Sequence, residues 1–153
     1  MKRSALREQV FALLFRLPFY SEEDMAEQEA IFLSPPEVEE ARPVEVDFPD
    51  PFGDDETLPA LSVKDAKKVK ARYDAVCALI PEIDARLSEL TSGWDLARIG
   101  KVELAILRLA VYEIVYDDAV PNAVAINEAV ELAKRFGQEG ASSFVNGVLA
   151  KFV

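Results

Sequence analysis

Apolar residues recur every three or four positions along most of the chain, the spacing that lines them up on one face of an α-helix. Leu6, Val10, Leu13, Leu14 and Leu17 form the first such stripe, with Ser4 as its expected N-cap and Pro18 as its stop. Ser21 followed by Asp24 has the form of a capping box and opens a second helix that the pattern carries to about Leu33. A third begins at Ser62 with Asp65 and runs along Ala66, Val69, Tyr73, Val76 and Ile80. Pro81 kinks or restarts it, and Ile83, Leu87 and Leu90 continue the stripe until Thr91, Ser92 and Gly93. Cys77 flanks this stripe and is expected in the core. Residues 96–116 are apolar around most of the circumference (Leu96, Ile99, Val102, Ile106, Leu107, Leu109, Ala110, Ile114, Val115), as befits a central helix surrounded by others. After a break at Asp117 to Pro121, a further helix spans about Asn122 to Phe136 with Gly137 as its C-cap, and the last runs from Ser142 to Lys151. No segment alternates with period two, so the expected fold is an all-α bundle.

Three residues in these helices ask for a reason. Gly147 lies inside the last helix, where glycine costs about 1 kcal/mol relative to alanine, and close approach of another helix is the expected compensation. Asn127 and Asn146 stand among apolar neighbours and are expected to be architectural, their amides hydrogen-bonded if buried.

Between Ser34 and Ala60 the pattern disappears. Pro35, Pro36, Pro43, Pro49, Pro51 and Pro59 deny backbone donors and fix φ, so neither a helix nor a central strand can run through. The stretch also holds nine acids against Arg42 alone, which is −8 of the chain's net −11. A flexible, solvated acidic insertion at about 34–60 within a single 1–153 domain is expected. An acidic arm that binds a partner is the functional alternative. With only −3 spread over the rest, the global charge does not exclude local basic patches that bind nucleic acid.

The chemistry available is limited. The chain has no histidine, and its one cysteine, Cys77, cannot form an internal disulfide. No carboxylate pair sits beside a nucleophile, a glycine-rich phosphate loop or a metal-ligand spacing, so a non-enzymatic protein without cofactor or metal is expected. Lys2 and Arg3 precede the apolar run Val10 to Phe15, but that run is short and flanked by Arg7, Glu8 and Arg16, so a cytoplasmic protein is expected rather than an exported one. Lys2, Arg3 and Arg7 open the first helix, where they can track the phosphates of a single strand or belong to a solvated terminus. Lys64, Lys68 and Arg72 share a helical face opposite the apolar stripe and read as a solvated face. Trp94, after a glycine, reads as a buried wedge rather than a base-stacking platform.

The C-terminal half carries a resemblance. The runs Gly93-Trp94-Asp95-Leu96-Ala97-Arg98-Ile99, Val102-Glu103-Leu104-Ala105-Ile106-Leu107-Arg108, Tyr112-Glu113, Val120-Pro121, Ala125-Ile126-Asn127-Glu128-Ala129-Val130-Glu131-Leu132-Ala133-Lys134 and Phe144-Val145-Asn146-Gly147-Val148-Leu149 resemble the NusB family in order. Ala5 to Phe15 resembles that family's first helix, which follows an arginine-rich segment that contacts RNA. The resemblance implies a bundle of about seven helices in two subdomains. It also implies a bacterial transcription antitermination factor that binds the boxA element of nascent ribosomal RNA together with NusE, a small-subunit ribosomal protein, within an RNA polymerase antitermination complex.

By the same resemblance Lys2, Arg3 and Arg7 are RNA contacts, as are Gln138, Ser142 and Ser143 between the last two helices, although Ser142 serves equally as a helix cap. Gly140 stands where many relatives carry an acid, which eases the approach of phosphate. Glu103 matches a position associated with the NusE contact, with a surface acid as the alternative. The basic N-terminal segment is thinner than in many relatives and the 34–60 insertion lengthens the second connection. An acidic helical protein-protein adaptor that has lost RNA binding therefore stays open as the second reading, and monomer and homodimer both stay open. A NusB-like domain also serves ribosomal RNA methyltransferases, but 153 residues leave no room for a cofactor-binding fold, so a free-standing factor is expected.

Overall fold

The computed structural model of the chain describes residues 2–33, 61–91 and 96–152. The insertion at 34–60 and Trp94 lie outside these residues. Seven α-helices and no strand occur among the described residues. They fall into two compact units, Met1–Asp74 and Ala75–Val153.

The first unit holds α1 (Arg3–Arg16), a 3-10 turn (Leu17–Phe19), α2 (Glu22–Phe32) and most of α3 (Val63–Ala78). α1 starts two residues earlier than expected. Its N-cap is Lys2, and Ser4 lies inside the helix. Every residue from Gln9 to Phe15 is buried, more than a full helical circuit, so α1 is covered on all sides. Phe11, Phe15 and Phe19 form a ladder at i, i+4 spacing, with ring centroids 6.4 Å and 5.3 Å apart. Ser21 caps α2 as expected, its Oγ accepting from the Asp24 N–H at 3.2 Å, and Ser62 does the same for α3 with Asp65 at 3.1 Å. Arg16 closes the C-terminal end of α1, donating to the Ala12 carbonyl at 2.7 Å while its guanidinium lies 4.9 Å from the centre of the Phe32 ring on α2. Lys70 ties α3 to α2 through Glu29 at 3.0 Å.

The second unit holds the end of α3, α4 (Ile80–Leu90), a 3-10 turn (Leu96–Arg98), α5 (Lys101–Tyr116), α6 (Asn122–Phe136) and α7 (Ala141–Ala150). Pro81 restarts the helix rather than kinking it. Leu79 is the N-cap of α4, and the proline stands in the first turn, where its missing N–H has no intrahelical partner to lose. The long apolar run is split as well. Leu96–Arg98 forms a 3-10 turn and the main helix begins at Lys101 after the N-cap Gly100, so the core helix is shorter than 96–116. α5 packs on α4, α6 and α7, and α6 packs on α7. Arg108 on α5 grips Asp84 on α4 with two parallel bonds of 3.0 Å and 2.9 Å, the fork geometry that suits guanidinium and carboxylate. Lys151, just past α7, donates at 2.7 Å to the Leu90 carbonyl at the C-terminal end of α4. Cys77 is half-buried.

Two expectations about α6 and α7 fail for one reason. The buried stripe of α7 is Ala141, Val145, Val148 and Leu149, which turns Asn146 and Gly147 to the opposite, exposed side. Ala125, Ala129, Leu132, Ala133 and Phe136 form the inner face of α6 and leave Asn127 exposed. The asparagines are therefore not core residues, and a Cβ added at Gly147 meets nothing within 4 Å. Gly147→Ala is accordingly expected to stabilise the protein by about 0.5–1 kcal/mol, because it lowers the entropy of the unfolded chain without a clash. Urea denaturation checks this, and a loss of stability would mean that the helix is not regular there.

Candidate nucleic-acid interface

α1 opens with two exposed cations, Lys2 and Arg3, and has no acid in its first turn and no side-chain cap. The Lys2 carbonyl accepts the first helical bond from Leu6 at 3.0 Å, which leaves the preceding N–H groups pointing outward at the positive end of the helix. Cations beside free backbone donors suit a phosphate.

Arg7 does not join this pair. It is only 7% exposed, because it shares a helical face with Val10, Phe11 and Leu14, all of which are buried. Its arginine character suggested a surface contact, and its register puts it inside. Sequence reasoning also passes over Gln9 and Glu113, each only 3% exposed. The signal for both was there, since each interrupts an apolar run at a position the helical period assigns to the interior. A buried carboxylate or amide is tolerated only when the protein satisfies it, and Arg7, Gln9 and Glu113 are all engaged by the rest of the protein.

In the second unit the turn between α6 and α7 carries Gln138, and Ser142 and Ser143 follow it in the first turn of α7. Gly137 is the C-cap of α6, its N–H donating to Ala133 at 2.9 Å. Its φ of −87° is open to any residue, and space is what selects glycine. A Cβ there would lie 2.6 Å from the Ala141 Cβ and 2.7 Å from the Ala133 carbonyl oxygen. Gly140 is different. It is the N-cap of α7 at φ 86°, the left-handed region, so backbone conformation alone accounts for glycine at this position. Ser142 is thus not the helix cap. It lies in the first turn, half-buried, beside the exposed Ser143, while Gln138 is exposed in the turn. α7 has neither a side-chain cap nor an acid in its first turn. Lys134 and Arg135, in the last turn of α6, add two exposed cations that sequence reasoning had not singled out. The Arg135 guanidinium lies 4.8 Å from the centre of the Phe136 ring, and Lys134 pairs with Glu131 at 3.5 Å.

Glu103 belongs to the same end of this unit. It is the third residue of α5 after the N-cap Gly100, and its carboxylate folds back over Gly100. Its Oε1 lies 3.4 Å from the point where a Cβ on Gly137 would sit. The structure thus sets Glu103 beside Gly137 at the end of α6, in the unit that also holds Gln138, Ser142 and Ser143, while Lys2 and Arg3 belong to the first unit.

The basic face of α3 reads differently. Lys64 and Lys68 are exposed and Arg72 is half-buried. Lys70 contacts Glu29 and Asp74 at 3.0 Å and 3.1 Å, and its hydrogen bonds to these carboxylates raise its pKa above the ordinary lysine value. Among the described residues no group of three metal-ligating side chains occurs, and no helix is long and apolar enough to cross a membrane.

A model described as the NusB family matches residues 4–153. The chain is 39% identical over 152 residues to the transcription antitermination protein NusB of Agathobacter rectalis, with 99% of each chain covered. It is 37% identical over 153 residues to the protein of the same description from Lachnoclostridium phytofermentans, covering 100% of this chain and 99% of the relative. Among solved structures it is similar to T. maritima NusB, with a TM-score of 0.71 at 26% identity over 99% of this chain and 90% of the other. It shares the fold of a structure of antitermination factors NusB and NusE in complex with dsRNA, with a TM-score of 0.65 at 22% identity over 98% of this chain and 94% of the other.

Proposed function

The chain belongs to the NusB family of transcription antitermination proteins, and from that premise we propose that it binds the boxA element of nascent ribosomal RNA together with NusE, in the cytoplasm, as part of an RNA polymerase antitermination complex. Binding, not catalysis, is its work. The observation that carries the RNA half of this reading is the acid-free, uncapped N-terminus of α1 with Lys2 and Arg3 exposed beside it, in a chain whose net charge of −11 would otherwise repel phosphate. Gln138 and Ser143 offer neutral donors at a second uncapped helix start, suited to bases or sugar hydroxyls of a single strand. Arg7, being buried, is left out of the contact set. The NusE half rests on family membership, and Glu103 is the residue assigned to that contact.

The test is fluorescence anisotropy of a labelled boxA-type RNA titrated with this protein, with and without its cognate NusE, at two salt concentrations. Salt-sensitive binding strengthened by NusE is expected. The Lys2→Ala, Arg3→Ala double variant should bind about tenfold more weakly at low salt and flatten the salt slope by about 1.4, two single-strand contacts at about 0.7 each. A double variant with unchanged affinity and slope would remove the α1 terminus from the interface. No RNA binding even in a confirmed NusE complex would favour the acidic adaptor instead.

A further inference from the structure

We propose that the outer face of α3, formed by Lys64, Lys67 and Lys68, is a second RNA-binding surface, one that holds the phosphodiester backbone of nucleotides flanking the element bound elsewhere on the protein. This rests on the reading above that the chain binds RNA. Within Val63–Ala78, α3 carries five cations (Lys64, Lys67, Lys68, Lys70 and Arg72) against Asp65 and Asp74, the largest positive balance of any helix among the described residues. α2, before it, holds five acids and no cation. Val69, Tyr73 and Val76 define the buried side of α3. The helical period then sets Lys64, Lys67, Lys68 and Ala71 on the opposite side, where all four are exposed and no acid stands among them.

Not every cation of α3 is available to a ligand. Lys70 is held by Glu29 at 3.0 Å and Asp74 at 3.1 Å, and Arg72 is half-buried and engaged. Lys64, Lys67 and Lys68 form no ion pair among the described residues. The chemistry of the face then selects its occupant. Protein interfaces are built around apolar or aromatic anchors, and lysine is depleted in them. This face offers no such anchor, since Val63, the one large exposed apolar residue described on the helix, lies to one side of it. Unpaired lysines at i, i+3 and i+4 suit a chain of phosphates instead, which they neutralise with release of counterions and without reading sequence. Lys2 and Arg3 belong to the same unit as this face, so both surfaces are carried by one compact body.

The experiment uses the full chain with its cognate NusE and two labelled RNAs, the boxA-type element alone and the same element extended by about ten nucleotides on each side. The triple variant Lys64→Gln, Lys67→Gln, Lys68→Gln removes three charges at exposed positions and keeps good helix formers, so its circular dichroism should match wild type. On the extended RNA it should bind about tenfold more weakly at low salt, with a salt slope flatter by about 2, three single-strand contacts at about 0.7 each. On the short RNA it should equal wild type. Equal affinity of variant and wild type for the extended RNA overturns the proposal. So does an equal loss on both RNAs, which is the effect of net charge alone. A labelled peptide of residues 34–60, with its nine acids, is titrated in parallel. Peptide binding that the variant loses while RNA binding stays unchanged gives the face to an acidic protein segment and overturns the RNA assignment. A wild-type chain that binds neither RNA overturns the functional reading on which the proposal rests, an outcome distinct from the others.

Discussion

Replacing Phe11 with alanine should cost about 3–5 kcal/mol, the range for truncating a fully buried aromatic side chain. Phe11 is 0% exposed, lies in the middle of the run of α1 that is buried on every side, and stacks towards Phe15 at 6.4 Å. The loss combines the transfer free energy of the ring with the cavity it leaves, since a helix enclosed all round cannot collapse inward to fill the space. Against a total stability of about 5–15 kcal/mol for a domain, the variant should populate unfolded chain at modest urea. Urea denaturation followed by far-ultraviolet circular dichroism measures it. Val63→Ala is the control, because Val63 is 55% exposed and its truncation should stay within about 0.5 kcal/mol. A loss below about 1 kcal/mol at Phe11 would mean that α1 is not enclosed as described.

Gly137→Ala should destabilise by about 2 kcal/mol, or lower the thermal midpoint by about 4–8 °C for a chain of this size. The new methyl would meet the Ala133 carbonyl oxygen at 2.7 Å and the Ala141 Cβ at 2.6 Å, and both belong to the helix framework and cannot swing aside. Gly100→Ala is the informative contrast. There the obstructing atoms belong to the Glu103 carboxylate, the far end of a flexible side chain, so stability should change by less than about 1 kcal/mol while Glu103 leaves its place over Gly100. Gly140→Ala meets no atom within 4 Å and should cost only the left-handed backbone penalty of about 1–2 kcal/mol. Differential scanning calorimetry on the three variants separates steric, side-chain and backbone causes. Equal losses at Gly137 and Gly100 would refute the distinction.

These glycines mark how far the sequence can be read. Glycine at 137 is legible as a helix end, and the helix does end there, yet the reason differs from the usual one: crowding, not a left-handed φ. At position 147 the sequence suggested crowding and the structure has open space. A single letter reports that a side chain is absent and says nothing about what would have met it.

The helical period alone determined the all-α class and the limits of α2, α6 and, within a residue or two, α7. Local chemistry also fixed the caps at Ser21 and Ser62, because capping is settled within four residues of chain. The family could be read from the C-terminal runs because their residue types and order are themselves sequence. Tertiary structure decided whatever depends on which side of a helix faces inward at a given point. It took Arg7 from the surface and turned Asn127, Asn146 and Gly147 outward. It also split the 96–116 run at Gly100 and set Glu103, in the first turn of α5, beside Gly137 at the end of α6. The physical reason is common to all of these. Periodicity is a property of neighbours along the chain, whereas burial, crowding and the meeting of helix ends depend on contacts between segments far apart in sequence, which only packing creates.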